Sequence, residues 1–471
     1  MMATAGRPAP RHARISLNYS QALNYSRALD KLLSLTDLER VSGQATHTQR
    51  YDLSRVRVLL ERLGSPHLGT PTVHITGTKG KGSTAAMVSS VLSAQGYTPG
   101  LFTSPHLHTF RERIQLDGQP VSEAEFTALV ESVWPELEAI NRDGSHGDVT
   151  TFELLTAMAF LHFRRSDAGF QVIEVGLGGR LDSTNLVEPR VCVITSISLD
   201  HTSILGDTVE RIARDKAGII KRGCVVVTSP QVPEVMKVLK DACGEQSVPL
   251  IQAARECVVT REAFDLDGQT FSVASSRGGS RLQIPLLGAH QLENAATALA
   301  TLQALKEMGF AITGDSITRG FSSVSWPGRL EVLLRSPILV ADGAHNPYSM
   351  GKLRQALRDY FIFQRLVWVV GVASDKNVPG IISEIAADPH LVITTRSRHP
   401  RAMPSLDLAK VLHRLGVEAR AVDGVDNAVQ EGLAKANAGD LVVVSGSLFV
   451  AAEAREMVLG IQPELYPTIM R

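Results

Sequence analysis

Short runs of apolar, often β-branched residues alternate along the chain with longer stretches of helical periodicity. This alternation predicts an α/β fold, in which helices cover parallel sheets. The predicted strands fall into two sets, at Val73–Thr76, Gln171–Val175, Val191–Ile197 and Val225–Thr228, and at Ile338–Ala341, Leu366–Val372, Leu391–Thr394 and Leu441–Ser445. Two sets of strands predict two parallel sheets, and we expect each to form the centre of its own domain.

The boundary between the two sets follows a long stretch that is rich in Ala and Leu. That stretch predicts a helix from roughly Leu292 to Met308, and the Pro and Gly of Ser322–Arg329 end the block. Pro and Gly interrupt regular structure, so we place the domain hinge there. We expect an N-terminal domain over residues 1–325 and a smaller C-terminal domain over residues 330–471.

The charge balance narrows the classes of function. The 471 residues carry 48 Lys and Arg against 48 Asp and Glu, so the formal net charge is zero. Binding to nucleic acid or to a membrane surface depends on summed positive charge, so we expect neither partner. No apolar stretch approaches the ~20 residues of a membrane helix. We expect a cytoplasmic monomer that acts on small molecules.

The cysteines and the N-terminus bear on the compartment of the protein. The four cysteines lie far apart and form no C-x-x-C pair, so neither zinc nor a disulfide framework is expected. Arg7, Arg11, Arg14 and Arg27 precede the first acidic residue, superficially like a transit peptide. Because the leucines between 23 and 33 predict the first helix of the fold, we favour a frayed tail over a cleaved segment.

The strongest local motif is His-Ile-Thr-Gly-Thr-Lys-Gly-Lys-Gly-Ser-Thr, from His74 to Thr84. A β-branched strand runs into three glycines and then into a predicted helix, Thr84–Gln95. Glycines let backbone N–H groups wrap phosphate oxygens, and a helix N-terminus adds a favourable dipole. Lys81 supplies a charge for the β- and γ-phosphates, and Ser83 or Thr84 can serve the Mg²⁺ shell.

A glycine-rich turn with solvated lysines is the alternative interpretation of this motif. The strand before the motif and the helix after it favour a phosphate loop instead. The residues expected to bind ATP here are Gly77, Thr78, Lys79, Gly80, Lys81, Gly82, Ser83 and Thr84.

Two further side chains are expected at the same edge of the first sheet. Glu174 ends an apolar strand, and His201 follows the next strand along the chain. In open α/β sheets, ligands bind outside the carboxyl ends of the strands. Glu174 alone could be a solvated strand end and His201 an ordinary paired histidine. Beside a phosphate loop, the two together favour a site for a hard divalent cation.

The sequence of the loop, in which Gly82 separates Lys81 from Ser83, resembles the phosphate loop of one enzyme superfamily, the Mur ligases. Motifs along nearly the whole chain resemble its folate branch, the folylpolyglutamate and dihydrofolate synthases. They are Ser104–Leu107, Arg111–Ile114, Glu174–Asp182, Leu199–Thr202, Asp215–Gly218, Asp342–Pro347 and Ser445–Ser447. Two positions depart from the pattern: Lys79 stands where many bacterial members have Asn, and Val149 where Pro is expected.

The resemblance implies roles for several side chains. Mg²⁺ would be held by Ser104, Glu174 and His201, and by Lys216 as its carbamate, an anion formed with CO₂. A bare ammonium at Lys216 would repel both Mg²⁺ and Lys81; a plain surface lysine is the alternative. Lys81, Lys216, His201 and Arg329 are the expected catalytic residues. The other residues expected around ATP are Asn294, Arg329, Asp342 and His345, of which His345 could instead guide L-glutamate.

The resemblance also implies a folate pocket. Phe152 offers a ring face for a flat heterocycle, and Asp182 offers an acceptor for its N–H groups, although each could be purely structural. The residues expected to contact folate are Tyr51, Asp52, Leu53, Ser54, Thr150, Thr151, Phe152, Glu153, Leu181, Asp182 and Ser183.

The implied reaction joins L-glutamate to dihydropteroate and to folates, with ATP activating the carboxylate as an acyl phosphate. A synthase that only adds glutamates to folates is the alternative, and Lys79 favours it. A ligase of peptidoglycan assembly would need a UDP-sugar-binding domain, for which the roughly 70 residues before Gly77 are too few. A nucleotide-dependent switch without ligation is disfavoured by the set Glu174, His201 and Lys216.

Overall fold

The computed structural model describes residues 23–37, 52–275, 278–386 and 391–465 of the chain. Within these ranges, no helix is long and apolar enough to cross a membrane.

The described strands and helices alternate along most of the chain. The strands are β1 (Thr72–Thr76), β2 (Pro99–Phe102), β3 (Ile114–Leu116), β4 (Gln119–Pro120), β5 (Phe170–Glu174), β6 (Val191–Ile194), β7 (Val225–Thr228), β8 (Leu250–Gln252), β9 (Val258–Asp265), β10 (Gly268–Ser275), β11 (Gly278–Ile284), β12 (Glu331–Arg335), β13 (Ile338–Ala341), β14 (Leu366–Val370), β15 (Leu391–Thr394), β16 (Ala419–Ala421) and β17 (Leu441–Ser445). The α-helices are α1 (Tyr25–Leu33), α2 (Leu53–Arg62), α3 (Lys81–Gln95), α4 (Glu123–Asp143), α5 (Thr151–Arg165), α6 (Thr202–Leu205), α7 (Val209–Ala217), α8 (Pro233–Gln246), α9 (Ala253–Glu256), α10 (Ala289–Glu307), α11 (Gly314–Ser323), α12 (Pro347–Tyr360), α13 (Val378–Ala386), α14 (Ser405–Arg414), α15 (Val425–Lys435) and α16 (Leu448–Leu459).

The first sheet has the strand order β4-β3-β2-β5-β1-β6-β7-β8. The strands from β2 to β8 in this order are parallel, and β3 and β4 add an antiparallel edge. Every residue of β1, β5 and β6 is buried, as expected for apolar strands covered on both faces. Because β5 and β6 flank β1, the loops that follow these three strands meet at one edge of the sheet.

Helix α3 starts at the phosphate loop and packs against the sheet. Left-handed glycines flank it, Gly80 with φ 88° and Gly96 with φ 94°, and no side chain caps its first N–H groups. Its buried residues share a core with α10 and α11, in which Val88 and Leu92 lie with Leu299. This core fixes the direction in which the N-terminus of α3 points.

The second sheet has the order β12-β13-β17-β14-β15-β16 and is parallel except for the edge strand β12. The central strands β14 and β17 are buried throughout. Helix α12 follows β13 and is capped by Asn346, whose side chain accepts a hydrogen bond from the Ser349 N–H at 2.9 Å. The carboxyl ends of β13, β14 and β17 face the loops of the first sheet across a cleft, and residues of both halves line this cleft.

A three-stranded antiparallel sheet of β9, β10 and β11 links the two halves. Phe271, Val273 and Leu282 bury one face of it in the core of the first half. Near the start of β10, the Gln269 side chain accepts a hydrogen bond from the Tyr360 hydroxyl on α12 at 2.7 Å.

The predicted α/β fold is confirmed, with eight predicted strands present as β1, β5, β6, β7, β13, β14, β15 and β17. Several bounds differ: β1 and β5 each begin one residue earlier, β6 ends at Ile194 and β14 at Val370, α3 begins at Lys81 and α10 at Ala289, and the predicted hinge starts within α11. The division that we predict at residues 325–330 falls between α11 and β12, and it stays a prediction.

Candidate active site

A cavity of about 1020 Å³ lies at the carboxyl edge of the first sheet. The loops after β1, β5 and β6 form one wall, and the residues after β13, β15 and β17 form the other. A ligand in this cavity would contact both halves of the molecule at once.

The phosphate loop is held in a shape that only glycine allows. A Cβ on Gly77, whose φ is 152°, would lie 1.8 Å from the Thr195 hydroxyl oxygen. A Cβ on Gly80, whose φ is 88°, would lie 2.2 Å from the Asn294 side-chain oxygen. The loop backbone is thus pressed between neighbouring segments, with the uncapped N-terminus of α3 open to an anion.

Lys81 extends from the first residue of α3 towards the end of β5. Its Nζ lies 3.8 Å from Glu174 Oε1, and the Ser104 N–H donates to Glu174 Oε2 at 3.3 Å. Burial raises the pKa of Glu174, and the Lys81 charge opposes that rise. The phosphate loop and Glu174 therefore lie at the same edge of the first sheet, as the sequence predicts.

The fit of a magnesium ion can be judged from the donor set. Among the described residues, no group of three or more His, Cys, Asp and Glu side chains could hold a metal ion. Mg²⁺ needs few protein ligands when phosphate and water complete its shell. The Glu174 carboxylate lies against Ser104, and both residues line the same cavity as the phosphate loop. The oxygen atoms of these two side chains are hard donors of the kind that Mg²⁺ prefers. The Thr84 hydroxyl is also buried, with no hydrogen-bond partner among the described residues.

Lys216, near the end of α7, points into the phosphate loop. Its side chain is buried, and Nζ donates a hydrogen bond to the Gly77 carbonyl at 2.9 Å. Burial, followed by the charge of Lys81, lowers the pKa of Lys216 to about 7. A large fraction of this amine is therefore neutral near pH 7, which makes it a nucleophile.

Lys79 and the loop after β6 meet the second half of the molecule. Lys79 Nζ lies 2.9 Å from Asp200 Oδ2 and 3.2 Å from His345 Nε2. His345 Nδ1 donates to the Gly343 carbonyl at 2.8 Å, which leaves Nε2 as the acceptor. The Lys79 charge, with burial, holds the pKa of His345 well below its usual value, so the ring is neutral. His201 lies beside Asp200 at the rim, with 44% of its side chain exposed.

The residues expected to hold the nucleotide come from both halves. Asn294 is buried on α10 beside Gly80, and its Nδ2 donates to Gln291 at 3.0 Å. Arg329 donates to its neighbour Gly328 at 3.0 Å and lies near enough to Glu174 to lower that carboxyl's pKa. The Asp342 carboxylate accepts backbone hydrogen bonds from Leu330 and Ala344, each at 2.8 Å.

Part of the set of residues expected to contact folate lines the same cavity. Phe152 is half-buried on α5 and lies so close to Gly176 that a Cβ there would be 2.5 Å from its ring. The Asp182 carboxylate accepts hydrogen bonds from the Leu177 N–H at 2.9 Å and the Thr184 N–H at 3.0 Å. Asp182 therefore shapes the glycine-rich loop after β5, in addition to lining the cavity.

Several of the expected folate residues also have structural partners. Thr150 and Glu153 form the capping box of α5, and Glu153 pairs with buried Arg55 at 3.2 Å. Of the expected ligand-binding residues, the cavity is lined by Asp52, Gly77, Thr78, Lys79, Gly80, Lys81, Gly82, Ser83, Ser104, Thr150, Phe152, Glu153, Glu174, Leu181, Asp182, Ser183, His201, Lys216, Asn294, Arg329, Asp342 and His345. Leu53, Ser54, Thr84 and Thr151 are not among its lining residues, and Tyr51 lies outside the described residues.

Sequence reasoning missed a group of side chains in the second half. The His399 ring stacks on Phe449 at 4.2 Å between centroids, and both rings line the cavity. Glu456 on α16 accepts hydrogen bonds from Arg398 and from His108 of the first half. The one sequence feature that could have indicated this group is a dense run of Arg and His at 396–401. By itself, such a run is equally typical of a solvated loop.

The chain matches known protein families over both halves. Residues 75–302 match the Mur ligase middle domain, and residues 328–448 match the glutamate ligase domain of Mur ligases. With the phosphate loop and the cleft between the sheets, these matches define an ATP-dependent ligase of the Mur class, which forms carbon–nitrogen bonds.

Full-length relatives identify the branch. The chain is 35% identical over 419 residues to the dihydrofolate synthase/folylpolyglutamate synthase of Bacillus subtilis, covering 88% of this chain and 97% of that one. A solved folylpolyglutamate synthase of Mycobacterium tuberculosis complexed with ADP has a TM-score of 0.82 and 35% identity, over 88% of this chain and 95% of that chain. A solved complex of a folylpolyglutamate synthase with AMPPCP and folate has a TM-score of 0.77 and 31% identity, over 93% and 100%. This chain belongs to the folylpolyglutamate/dihydrofolate synthase family.

Proposed function

We propose that this enzyme ligates L-glutamate both to dihydropteroate and to folates, and so carries both synthase activities. The observation that carries the proposal is one continuous cavity, which joins the phosphate loop to the wall of Phe152, Leu181 and Ser183. The half-buried Phe152 ring offers an apolar face to a pterin whether or not the acceptor already carries glutamate. Relatives such as the Bacillus subtilis enzyme are named for both activities.

The chemistry proceeds in two transfers. The acceptor carboxylate attacks the γ-phosphorus of ATP, so that an acyl phosphate forms and ADP leaves. The amine of L-glutamate then attacks the acyl carbon, the amide bond forms, and phosphate departs with the loss of one proton from the amine. Lys81 and Arg329 would neutralise charge on the transferring phosphoryl group, so catalysis is mostly positioning and electrostatics.

A magnesium ion would be held by Ser104, Glu174 and His201. When bound, it would supply positive charge that reduces the negative charge that the acceptor carboxylate must approach. The chain's own contribution is to orient these oxygen donors. The Ser104 N–H fixes one Glu174 oxygen at 3.3 Å, and the other faces Lys81.

Lys216 is proposed to act as a carbamate. The buried amine has the Gly77 carbonyl as its hydrogen-bond partner in the described structure. A neutral amine adds to CO₂ with loss of one proton, and the resulting anion would offer two oxygens to a metal ion. This change would replace a buried cation, which repels Lys81, by an anion that attracts it.

A cleft lined by both halves would exclude water from the acyl phosphate when it closes. Asn294 and the phosphate loop would hold ATP from one side, with Asp342 and His345 on the other.

A synthase that only extends folates is the second candidate, and the observation that favours it is Lys79 in place of Asn. The deciding experiment measures ADP release with saturating ATP and L-glutamate, with dihydropteroate and tetrahydrofolate at equal concentrations, and product masses. Both acceptors are expected to give a product one glutamate heavier. Reactions without L-glutamate and with Lys81→Ala enzyme are the controls. Turnover with tetrahydrofolate but none with dihydropteroate would leave only the second candidate.

A further inference from the structure

The two lysines of the phosphate loop point to different neighbours. Lys81 Nζ lies 3.8 Å from Glu174, at the end of β5. Lys79 Nζ instead lies 2.9 Å from Asp200, in the loop after β6. The Lys79 N–H also donates to the Ser196 carbonyl at 3.2 Å, so its backbone is not turned towards a phosphate. Two residues apart in the motif, the lysines are thus placed for different tasks.

The Lys79 ammonium is the centre of a polar network that crosses the cleft. On the far side it donates to His345 Nε2 at 3.2 Å. Asp200, its partner in the first half, accepts a second cross-cleft hydrogen bond from Asn346 Nδ2 at 3.0 Å. His345 and Asn346 lie between β13 and α12 of the second sheet. One cation and one carboxylate of the first half therefore bind two adjacent residues of the second.

The setting of this network makes it strong. The side chain of Lys79 is 22% exposed and that of Asp200 is 11% exposed. Charge-assisted hydrogen bonds in such partly buried surroundings are each stronger than neutral ones. His345 is fixed in turn, because its Nδ1–H donates to the Gly343 carbonyl at 2.8 Å. The ring therefore has one orientation in which to accept the Lys79 proton.

We propose that Lys79 is a positioning residue that holds the two halves closed through Asp200 and His345, rather than a ligand of the ATP phosphates. Closure by Lys79 fixes the His345 ring and assembles the part of the cavity that both halves line. Under the proposed function, L-glutamate is the substrate that needs this assembled wall. A loop with Asn in place of Lys lacks the charge that reaches across the cleft.

The decisive measurement is the distance between the halves in the nucleotide-free protein. Spin labels at Lys240→Cys on α8 and Lys410→Cys on α14 occupy exposed helix positions, and the four native cysteines are buried. In Lys79→Asn, the distance distribution is expected to shift to longer values, with a roughly tenfold fall in the closing equilibrium constant. His345→Asn is expected to give the same shift, and the double variant no more than either single one.

A matched control removes a different lysine of the same cavity. Lys352→Asn takes away an exposed positive charge on α12 that has neither cross-cleft contact, so its distance distribution is expected to stay that of the wild type. In Lys79→Asn, the KM for L-glutamate is expected to rise by the factor by which the closed fraction falls, with little change in kcat, since only the closed fraction binds it. The distance measurement needs no substrate, so it is independent of which acceptor the enzyme uses. An unchanged distribution in nucleotide-free Lys79→Asn overturns the proposal, as does an unchanged KM for L-glutamate.

Discussion

Replacement of Lys81 by Ala removes the cation nearest to the expected position of the β- and γ-phosphates. Two unit charges 4 Å apart interact by about 4 kcal/mol at an effective dielectric constant of 20. The Lys81–Glu174 separation of 3.8 Å shows that this lysine works at such distances in this site. If Lys81 stabilises the transition state by that amount, kcat falls by about 10³-fold in Lys81→Ala.

The fold is expected to survive this substitution. Glu174 loses a neighbouring cation, but burial already raises its pKa, so the carboxyl can take up a proton instead of remaining as a buried charge. The assay is single-turnover ADP formation beside the melting temperature. Lys240→Ala, at an exposed position of α8, is the control and should match the wild type in both. A kcat for Lys81→Ala within a fewfold of wild type, at an unchanged melting temperature, would refute the assignment of the phosphate loop.

Two further predictions concern buried ionisable groups. Lys216→Ala is expected to be inactive and to be partly rescued by formate or acetate. NMR with ¹³C-bicarbonate should show a carbamate signal in the wild type that this variant lacks, and the absence of that signal from active, bicarbonate-supplied enzyme would contradict the carbamate. Burial raises the pKa of Glu453 to about 7, so the folded state binds its proton more tightly than the unfolded chain between about pH 4.5 and 7, and stability falls as pH rises through that window. Glu453→Gln keeps the acceptor for the Arg398 N–H and should lose less stability than wild type from pH 5 to pH 8, by about 2 kcal/mol; equal losses in urea unfolding would contradict the shift.

The strands that could be predicted from the sequence are those buried on both faces. β1, β5, β6, β14 and β17 are continuous apolar runs because helices cover both sides of each. The strands of the small sheet were missed for the opposite reason. Most side chains of β9 are exposed, and the stretch carries charges that read as a loop. β2 begins with Pro-Gly, which is a turn signal that its burial between β3 and β5 overrides.

The predictable part of the site depends on one local segment and on strand ends. The phosphate loop could be predicted because glycines, lysines and the flanking strand and helix are adjacent in sequence. The contacts of Lys79 with Asp200 and His345 could not be predicted in this way. Lys79 and His345, for example, are 266 positions apart in the sequence. The same holds for His108 and Glu456, which are 348 positions apart. Neither pair forms a motif, since nothing in the local sequence of one partner depends on the other.

The cross-cleft contacts also explain how a chain with no net charge can bind a polyanion. Lys79, Lys81 and Arg329 all line one cavity, so positive charge is concentrated where phosphate is expected. Each cation has a different neighbour that holds it in place: Asp200 for Lys79, Glu174 for Lys81, and the Gly328 carbonyl for Arg329. Lys79 belongs to the first half and Arg329 ends the hinge segment, so we expect an opening of the cleft to separate these two charges. We therefore expect affinity for the nucleotide and closure of the cleft to be coupled by electrostatics, so that a substitution that opens the cleft weakens both.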